Sequence, residues 1–298
     1  MQKQKLSIAY RIKRRLLEYA AFLAPDTWYL KWQFQFCLHR PLDLKNPRSF
    51  NEKLQWLKLY YRKPELTQMV DKVAAKDYVA SLVGQNYLVP TLGVWNSVDE
   101  IDWDILPNQF VIKSSGDSGG IVICRDKSGL DIESAKAKLW LCGSRQYWRY
   151  NKEYPYKDVP HRYIAEAYLE EEGGVRDYKF FCFDGEPKYL YLSQGLEDHS
   201  TARISFLDID WQIAPFRRSD YEPFKELPEK PLNYDKMIEV ARVLSKGLPH
   251  VRIDLYNING KIYFGEMTFF TCSGMVPFEP EEWDYRLGSM IKLPDKCN

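Results

Sequence analysis

Two dipeptides, Asp184-Gly185 and Asn259-Gly260, each stand between runs rich in aromatic and β-branched residues. Asp-Gly and Asn-Gly favour the tight turns that join antiparallel strands, because both central residues tolerate positive φ. The flanking runs have strand-like composition. We therefore predict two antiparallel hairpins, over residues 177–193 and 250–270, and a fold built around a sheet.

Helical patterns interrupt these strands and set the fold class. Helices are predicted over 51–61, 64–84, 131–142 and 235–247. Further strands are predicted over 87–95, 109–113, 120–124 and 162–169. The mixture indicates an α+β (mixed α/β) architecture. A chain of 298 residues is long enough for two or three lobes.

The stretch "QFVIKSSGDSGGIVI" (109–123) places a lysine directly before a loop of only Ser, Gly and Asp. Lys113 offers three donors on one charge, and the loop over 114–120 offers backbone N–H groups, which together suit a phosphate chain. The alternative is an ordinary hairpin with a long polar loop. The Walker A, dinucleotide and protein-kinase signatures are all missing. A phosphate here would therefore need magnesium ligands from elsewhere in the chain.

The second hairpin supplies candidate magnesium ligands. Arg252 and Asp254 alternate with apolar residues and share a face, as do Glu266 and Thr268 on the return strand. The alternative is that both carboxylates simply face solvent. Unpaired carboxylates in otherwise apolar strands are costly, which argues against that alternative.

Whether the two carboxylates meet depends on the turn. A two-residue turn pairs Leu255 with Phe264 and places Asp254 and Glu266 on opposite faces. A three-residue turn over 258–260 pairs Asp254 with Phe264 and lets all four polar side chains point the same way. The sequence alone leaves both geometries open.

The order of these features resembles the ATP-grasp superfamily. It runs from "VDK", with Lys72 in a helix, through Lys113 and its loop, to "IAEAYL" (164–169), "DYKFF" (177–181), "RID" (252–254) and "GEMT" (265–268). More closely, "SFNEKLQWLKLYYR", "YLVPTLGVW", "LPNQFVIKSSGDSGG" and "VRIDLYNINGKIYFGEMTF" resemble the TupA-like (teichuronopeptide biosynthesis) ATP-grasp family, from about residue 46 to residue 293.

The resemblance implies an ATP-grasp fold in which the nucleotide is held between two α+β lobes. It comes with an extra N-terminal helical segment. The expected divisions are a basic amphipathic segment (1–45), an N-terminal lobe (46–106), a lid subdomain with the glycine-rich loop (107–180) and a C-terminal lobe with the metal-binding hairpin (181–298).

The resemblance also implies residue roles. The phosphates of ATP would contact Lys72 and Lys113, and the loop would close over them through Ser115, Gly116, Ser118, Gly119 and Gly120. The adenine edge would meet Glu166 and the backbone of Ala167 and Leu169, and Asp177 or Lys179 would reach the ribose or the phosphates. Asp254 and Glu266 would hold Mg²⁺, expected as two ions. Thr268 stands where the superfamily usually has Asn, which leaves the third metal ligand open.

The implied reaction is ATP-dependent ligation of a carboxylate to an amine through an acyl phosphate. The protein contributes mainly positioning and charge neutralisation. The residues expected to act in catalysis are Lys113, Arg203 and Arg252, with the planar guanidinium of Arg252 steadying the acyl phosphate.

The acceptor side is predicted from two segments that mix aromatic rings with cations. These are residues 146–163 and 197–211, and the predicted substrate contacts are Arg149, His199, Arg203 and Ser273. Stacking faces beside cations suit an acidic sugar, so the expected partners are a uronic-acid glycan or sugar nucleotide and an amino acid or amine. The alternative is that these segments form only the surface of a lid.

Charge and apolar runs limit the remaining possibilities. The 42 Lys and Arg nearly balance the 41 Asp and Glu, so no nucleic-acid partner is expected. No apolar run of ~20 residues suggests a membrane span, no CxxC spacing suggests a metal pair, and no leader peptide is visible; the expected location is cytoplasmic.

The first 23 residues could still touch a membrane. Between Lys3 and Leu23, six basic residues stand against Glu18, and apolar residues fall on one helical face. This pattern is typical of a helix lying on the inner membrane, although a helix packed on its own protein has the same pattern.

Two rival functions remain at this point. Asp208-Ile209-Asp210 has the D-x-D form found in glycosyltransferases, but Asp102-Trp103-Asp104 has it too, so the form arises by chance in this chain. The other rival is a nucleotide-binding protein without catalytic activity.

Overall fold

The computed structural model describes residues 19, 21–116, 119–144, 146–196 and 202–296. Within these residues lie eight α-helices: α1 (Asp26–Leu38), α2 (Phe50–Tyr60), α3 (Glu65–Val70), α4 (Ala74–Val83), α5 (Ile132–Gly143), α6 (Tyr147–Asn151), α7 (Tyr234–Ser245) and α8 (Glu282–Met290). The predicted basic N-terminal helix lies mostly outside the described residues. In the described chain, no helix is both long enough and apolar enough to cross a bilayer.

Nine strands lie in the same residues: β1 (Thr91–Trp95), β2 (Phe110–Ser114), β3 (Ile121–Cys124), β4 (Tyr163–Ala167), β5 (Arg176–Phe183), β6 (Glu186–Gln194), β7 (Arg203–Asp208), β8 (His250–Ile258) and β9 (Lys261–Thr268). They form two antiparallel sheets, a small one in the order β1-β4-β2-β3 and a large one in the order β7-β6-β5-β8-β9. The mixed α+β class is as predicted. The expected boundaries at 106 and 180 fall differently from these sheets, since β1 pairs with β4 and β5 spans residue 180.

The large sheet buries one face against α7. This helix is strongly amphipathic, and Met237, Ala241 and Leu244 on its apolar side are fully buried. They belong to the same core as Phe180 of β5 and Ile253 of β8. Because side chains alternate along a strand, the neighbours of Phe180 and Ile253 point to the opposite face. Lys179 of β5 and Arg252 and Asp254 of β8 therefore share the face opposite α7.

The helix predicted over 64–84 is two helices, and Lys72 lies in the break between α3 and α4. Asp71 ends α3 with an extended ψ of 114°. Its buried carboxylate accepts the N–H of Val73 and pairs with Arg162 from the small-sheet region. A distant partner thus overrides the local helical pattern, which is why the single-helix prediction was wrong.

The hairpin at Asn259-Gly260 combines features of both predicted turn geometries. Asn259 (φ 50°) and Gly260 (φ 80°) form a two-residue turn, and Leu255 pairs with Phe264. A β-bulge then shifts the register, so that Asp254 pairs with Glu266. The extra residue is Gly265. The two carboxylates therefore lie on one face, but a bulge brings them together rather than a three-residue turn.

Gly265 is required at this bulge because a side chain there has no room. A Cβ would lie 3.0 Å from the carbonyl oxygen of Asp254 and 3.2 Å from the ring of Tyr256. We expect Gly265→Val to lower the free energy of unfolding by about 1–3 kcal/mol through overpacking and to disturb the pairing of Asp254 with Glu266. Urea denaturation measures the first effect, and amide chemical shifts of β8 and β9 measure the second.

Gly260→Ala in the same hairpin is the matched control. Its Cβ would meet nothing within 4 Å, so only the strain of a positive φ is added, about 1 kcal/mol. The amide signals of Asp254 and Glu266 should stay unchanged in this variant. A Gly265→Val protein with wild-type stability and unchanged strand signals would contradict the role given to Gly265.

Candidate active site

One row of polar side chains crosses the face of the large sheet that lies opposite α7. Lys179 of β5 pairs with Tyr191 of β6 on one side and with Asp254 of β8 on the other. Asp254 in turn pairs with Glu266 of β9. Arg252, two residues before Asp254, points to the same face. The register of four strands thus gathers these groups, although they are far apart in the sequence.

Asp254 is the buried centre of this row, with 1% of its surface exposed. Arg252 donates to both of its oxygens at 2.6 Å, and Lys179 donates to Oδ2 at 2.6 Å. Burial raises the pKa of Asp254, whereas the two cations lower it. The pKa values of Lys179 and Arg252 lie well above their ordinary values, because their acidic neighbours outweigh burial. The net effect is a raised pKa for Asp254, and the three groups form a buried cluster joined by short hydrogen bonds.

Glu266 is the open end of the row, and its side chain is 43% exposed. Its Oε1 accepts from Arg252 Nη2 at 2.9 Å and from Thr268 Oγ1 at 3.1 Å. Burial would raise its pKa, but the charges of Arg252, Lys179 and Lys72 lower the pKa to about 2. Lys72 therefore lies near Glu266, and it lies between α3 and α4 rather than in the predicted helix.

The donors in this row suit magnesium. Asp254, Glu266 and Thr268 all present oxygen, which Mg²⁺ prefers. Three of the roughly four lone-pair positions of Asp254 are already used by hydrogen bonds. In the parts of the chain that the structure describes, no group of three His, Cys, Asp or Glu could hold a metal alone. The residues therefore fit an ion that a phosphate also ligates, since Mg²⁺ is often held by one or two carboxylates plus substrate phosphates.

A second charged cluster lies on the small sheet. Glu166 of β4 is buried between two lysines, with Lys76 Nζ at 2.5 Å from Oε1 and Lys113 Nζ at 2.7 Å from Oε2. Burial alone would lower the pKa of Lys113, but Glu166, Tyr256 and Glu266 raise it above its ordinary value. Because Tyr256 and Glu266 belong to the large sheet, the two clusters face each other.

The glycine-rich loop is only partly described. Asp117 and Ser118 lie outside the described residues. Ser115 is fully buried, its N–H donates to the carbonyl of Arg162, and its hydroxyl donates to the carbonyl of Pro160. Gly116 lies beside Val159, and Gly119 and Gly120 lead into β3. Ser115 and Gly116 thus contact the segment before β4. Both hydrogen-bond donors of Ser115, its N–H and its hydroxyl, are used in these contacts.

The predicted adenine and ribose contacts are spread along the strands between the two clusters. Glu166 has both carboxylate oxygens on lysines, and the N–H of Ala167 donates to the carbonyl of Pro90. Leu169 follows directly after β4. Asp177 of β5 lies 3.3 Å from Lys179 Nζ.

The predicted acceptor residues are not brought together. Arg203 begins β7, three strands away from β8, or roughly 14 Å at normal strand spacing. Its guanidinium hydrogen-bonds the carbonyl of Ala202. His199 lies outside the described residues. Arg149 on α6 lies against the rings of Phe22 and Trp148. Only Ser273, in the turn after β9, lies near the polar row.

Arg149 lines two cavities that adjoin one another. They have volumes of about 280 and 320 Å³ and share Trp148, Arg149 and Lys157. The first also contains Arg62 and Lys152, and the second reaches Gly116 of the glycine-rich loop. Cations and aromatic rings therefore line a groove that leads to the loop.

The sequence analysis missed several residues of this site. Lys76, Tyr191 and Tyr256 all contact or perturb the charged clusters, and Arg218 lies over the ring of Tyr191 with Arg252. Glu166 is 90 positions from Lys76, and the partners of Tyr191, Tyr256 and Arg218 lie on other elements of the fold, so no local motif marks these residues. For Tyr256 alone a signal existed, because it shares the face of Arg252 and Asp254.

The D-x-D stretch has a structural role. Asp208 ends β7, and its Oδ1 accepts the N–H groups of Asp210 (3.0 Å) and Gln212 (2.9 Å). The carboxylate of Asp208 therefore stabilises the turn to the following residues. This arrangement weakens the glycosyltransferase alternative.

Comparison with known proteins places these features in a family. The family model for TupA-like ATP-grasp proteins matches residues 52–292. A search of curated proteins found no match.

Solved structures similar to the chain include a D-alanine–D-alanine ligase from Bacillus anthracis complexed with ATP (16% identity, 68% of this chain, 55% of that chain, TM-score 0.39). The ATP-grasp ligase PsnB complexed with a phosphomimetic precursor variant, Mg and ADP is similar at 11% identity (78% and 62%, TM-score 0.42). D-cycloserine synthetase DcsG is similar at 16% identity (77% and 72%, TM-score 0.40). The chain spans 55–61% of the length of the first three solved ligases that it matches.

The charge of Glu266 should make stability depend on pH. Its pKa of about 2 lies below the ordinary 4.5, so its stabilising contribution is present above about pH 4.5 and is lost as the pH falls toward 2. Glu266→Gln should therefore be less stable than wild type at pH 7, and the difference should narrow between pH 4.5 and pH 3. Urea midpoints across this range measure the effect.

Glu282→Gln on α8 is the control. Glu282 is exposed and pairs only with Arg286 on the same helix, a type of pair that contributes little. Its urea midpoint should follow that of wild type at every pH. A Glu266→Gln difference that stays constant down to pH 3 would show that its charge is not held by the neighbouring cations.

Proposed function

The chain belongs to the TupA-like ATP-grasp family, and we propose that it is an ATP-dependent carboxylate–amine ligase. The carboxylate of one substrate would attack the γ-phosphate of ATP and form an acyl phosphate. The amine of a second substrate would then displace phosphate and form an amide. ADP and phosphate are the other products.

The observation that carries this proposal is a repeated charge arrangement. On the large sheet a buried carboxylate, Asp254, holds Arg252 and Lys179; on the small sheet Glu166 holds Lys76 and Lys113. The Glu166 group has two cations and one carboxylate and keeps a net positive charge, whereas the Asp254 group also includes the carboxylates of Glu266 and Asp177. In the proposed nucleotide cleft between the two sheets, the first group suits the phosphates of ATP, and the carboxylates of the second suit the magnesium ion that accompanies them.

Each cation then has a role set by its position. Lys113, Lys179 and Lys72 would contact the phosphates, because an ammonium has three donors and each of these lysines lies beside the cleft. Arg252 would steady the acyl phosphate, since a planar guanidinium suits two oxygens at once. Glu266 and Asp254, with the Thr268 hydroxyl, would hold Mg²⁺, which would offset the charge of the phosphates.

We propose that the carboxylate substrate is a uronic acid in a cell-surface polysaccharide, and that the second substrate is an amino acid or another amine. The groove beside α6 supports this choice. Its cations suit the carboxylates of such a glycan, and the ring of Trp148 suits the face of a sugar. Arg149 and Lys157 would thus contact the acceptor.

A three-component assay tests the ligase. Wild-type protein should release ADP and phosphate only when ATP, a uronic-acid oligosaccharide and an amino acid are all present. Lys113→Met should weaken ATP binding by ~10–100-fold, the value of one charge-assisted hydrogen bond, as measured by calorimetry. Lys236→Met, which removes an exposed lysine paired with Glu239 on α7, is the control and should behave as wild type.

Other outcomes would favour other functions. Release of UDP from UDP-glucuronic acid would favour a glycosyltransferase. Binding of ATP with no turnover on any uronic acid would favour a non-catalytic nucleotide-binding protein. Unchanged ATP affinity in Lys113→Met would remove Lys113 from the nucleotide site.

We also propose contact with an anionic membrane surface through the N-terminal segment, where lipid-linked glycans would be met. The basic residues up to Arg15 support it. So do the large apolar side chains that follow, because Leu23 is 88% and Trp28 54% exposed. Basic and apolar groups together are the composition of interfacial helices.

Replacing both Leu23 and Trp28 by Ser should weaken binding to phosphatidylglycerol vesicles roughly tenfold, since it removes about 1–2 kcal/mol of apolar burial. Vesicle sedimentation measures the effect. Leu232→Ser removes a fully exposed leucine far along the chain from the N-terminal segment and should leave binding to the vesicles unchanged. Equal sedimentation of the double variant and wild type would end the membrane proposal.

A further inference from the structure

The turn that follows β9 has a strained backbone. Cys272 (φ 48°), Ser273 (φ 56°) and Gly274 (φ 60°) are three successive residues in the left-handed region. Glycine adopts this region freely, but each non-glycine residue costs roughly 1–2 kcal/mol there. Strained residues of this kind concentrate at functional sites, where the surrounding structure holds them in place.

Side chains of α2 hydrogen-bond the turn. Lys58 is fully buried, and its Nζ donates to the carbonyl oxygen of Ser273 at 2.8 Å and to the Ser273 hydroxyl at 2.6 Å. Gln55 donates to the carbonyls of Ser273 and Gly274, both at 3.0 Å. These contacts fix the orientation of the Ser273 side chain.

A buried carboxylate lies behind the same hydroxyl. Glu153 is 4% exposed, its Oε1 is buried without a hydrogen-bond partner, and the Ser273 side chain is close enough to lower its pKa. Lys58 and Glu153, both in the described part of the chain, do not approach within 4 Å of each other as an ion pair. The Ser273 hydroxyl therefore contacts Lys58 directly and lies beside the Glu153 carboxylate. Burial raises the pKa of Glu153 to about 7 and lowers the pKa of Lys58 to about 8.

The turn also adjoins the site of the proposed reaction. Arg218 donates to Cys272 Sγ at 2.8 Å, and the charge of Arg252 acts on the same thiol. Arg218 and Arg252 lie over the same ring, that of Tyr191. Ser273 is half-buried. Its hydroxyl thus lies one residue from a thiol that the guanidinium of Arg252 influences.

We propose that Ser273 and Glu153 form a proton relay that deprotonates the incoming amine, an inference that rests on the proposed ligase function. An amine enters as an ammonium and must lose a proton before its nitrogen can attack the acyl phosphate. The N–H bond breaks as its proton passes to Ser273 Oγ, and the Ser273 O–H bond breaks as that proton passes to Glu153. The nitrogen lone pair then forms the C–N bond, the C–O bond to phosphate breaks, and the departing phosphate takes the second proton from the nitrogen.

Lys58 positions the relay and does not touch the substrate. Its charge holds the Ser273 hydroxyl and favours the ionised form of Glu153. The other ionisable groups that face the pair are Cys37 of α1, which acts on Lys58, and Cys272 of the turn, which acts on Glu153. Both have raised pKa values from burial and stay neutral near pH 7. Glu153 is therefore the group near Ser273 suited to accept a proton at neutral pH.

The alternative is that Lys58 and Glu153 only hold the turn in shape. Hydroxylamine separates the two roles, because its nitrogen is already unprotonated at neutral pH and needs no base to attack an acyl phosphate. Loss of a base should spare hydroxamate formation and impair amide formation. Loss of shape should impair both.

The experiment compares Glu153→Gln and Ser273→Ala with wild type, using ATP, a uronic-acid oligosaccharide and either hydroxylamine or L-glutamate. We expect hydroxamate formation within about twofold of wild type and amide formation reduced about 100-fold, the usual contribution of a general base. The rise of kcat for amide formation with pH near 7 should vanish in Glu153→Gln. Cys272→Ser, in the same turn, should retain both activities.

Equal loss of hydroxamate and amide in both variants would assign a structural role and overturn the relay. If wild type forms neither product, the proposed ligase function fails, which is a different result. A measurement without substrate covers that case: with carbon-13 in the glutamate carboxyls, the Glu153 signal, identified by its loss in Glu153→Gln, should titrate between pH 6 and 8. Titration near pH 4 would overturn the relay.

Discussion

The polar face of the large sheet depends on one buried carboxylate. Asp254 is taken out of water completely, and only the three hydrogen bonds from Arg252 and Lys179 compensate for that loss. Breaking such a buried cluster by removing one partner costs about 3–5 kcal/mol. Because Lys179 is on β5 and Arg252 on β8, the need to pair Asp254 with both cations also fixes the register of these strands. A slip by one residue would place a charge in the core under α7.

The hydrogen bonds that Asp254 needs also give the two carboxylates of the hairpin different roles. Asp254 has most of its lone pairs committed to cations, so its first role is to hold Arg252 and Lys179 in place. Glu266 is nearly half exposed and contacts one of these cations only through Oε1. A metal ion shared with phosphates would therefore depend more on Glu266. Position along one row of a sheet, rather than residue type, separates these two roles.

The sequence predicted elements whose signals are local. Both hairpins, the lysine before the glycine-rich loop and helices α2, α5 and α7 follow from turn residues and periodicity. Turn residues left open whether Asp254 and Glu266 converge, since the bulge at Gly265 that brings them together is marked only by a glycine within a strand. Elements decided by distant partners were also missed. The end of α3 at Asp71 depends on the ion pair of that residue with Arg162. The sequence showed no clear helical or strand pattern for α1, α6, α8 and β7.

The buried groups that surround Ser273 show why such sites escape a sequence pattern. Lys58 lies on a helix whose local signal is simply amphipathic, and Glu153 lies in a short segment of aromatic and charged residues. Neither residue belongs to a motif, and they meet only because α2 packs beneath the turn after β9. A lysine and a carboxylate that are buried beside one hydroxyl both lose solvation, so the pKa of each moves toward neutral pH. The hydrogen bonds from Lys58 and Gln55 to the strained turn keep that hydroxyl in place.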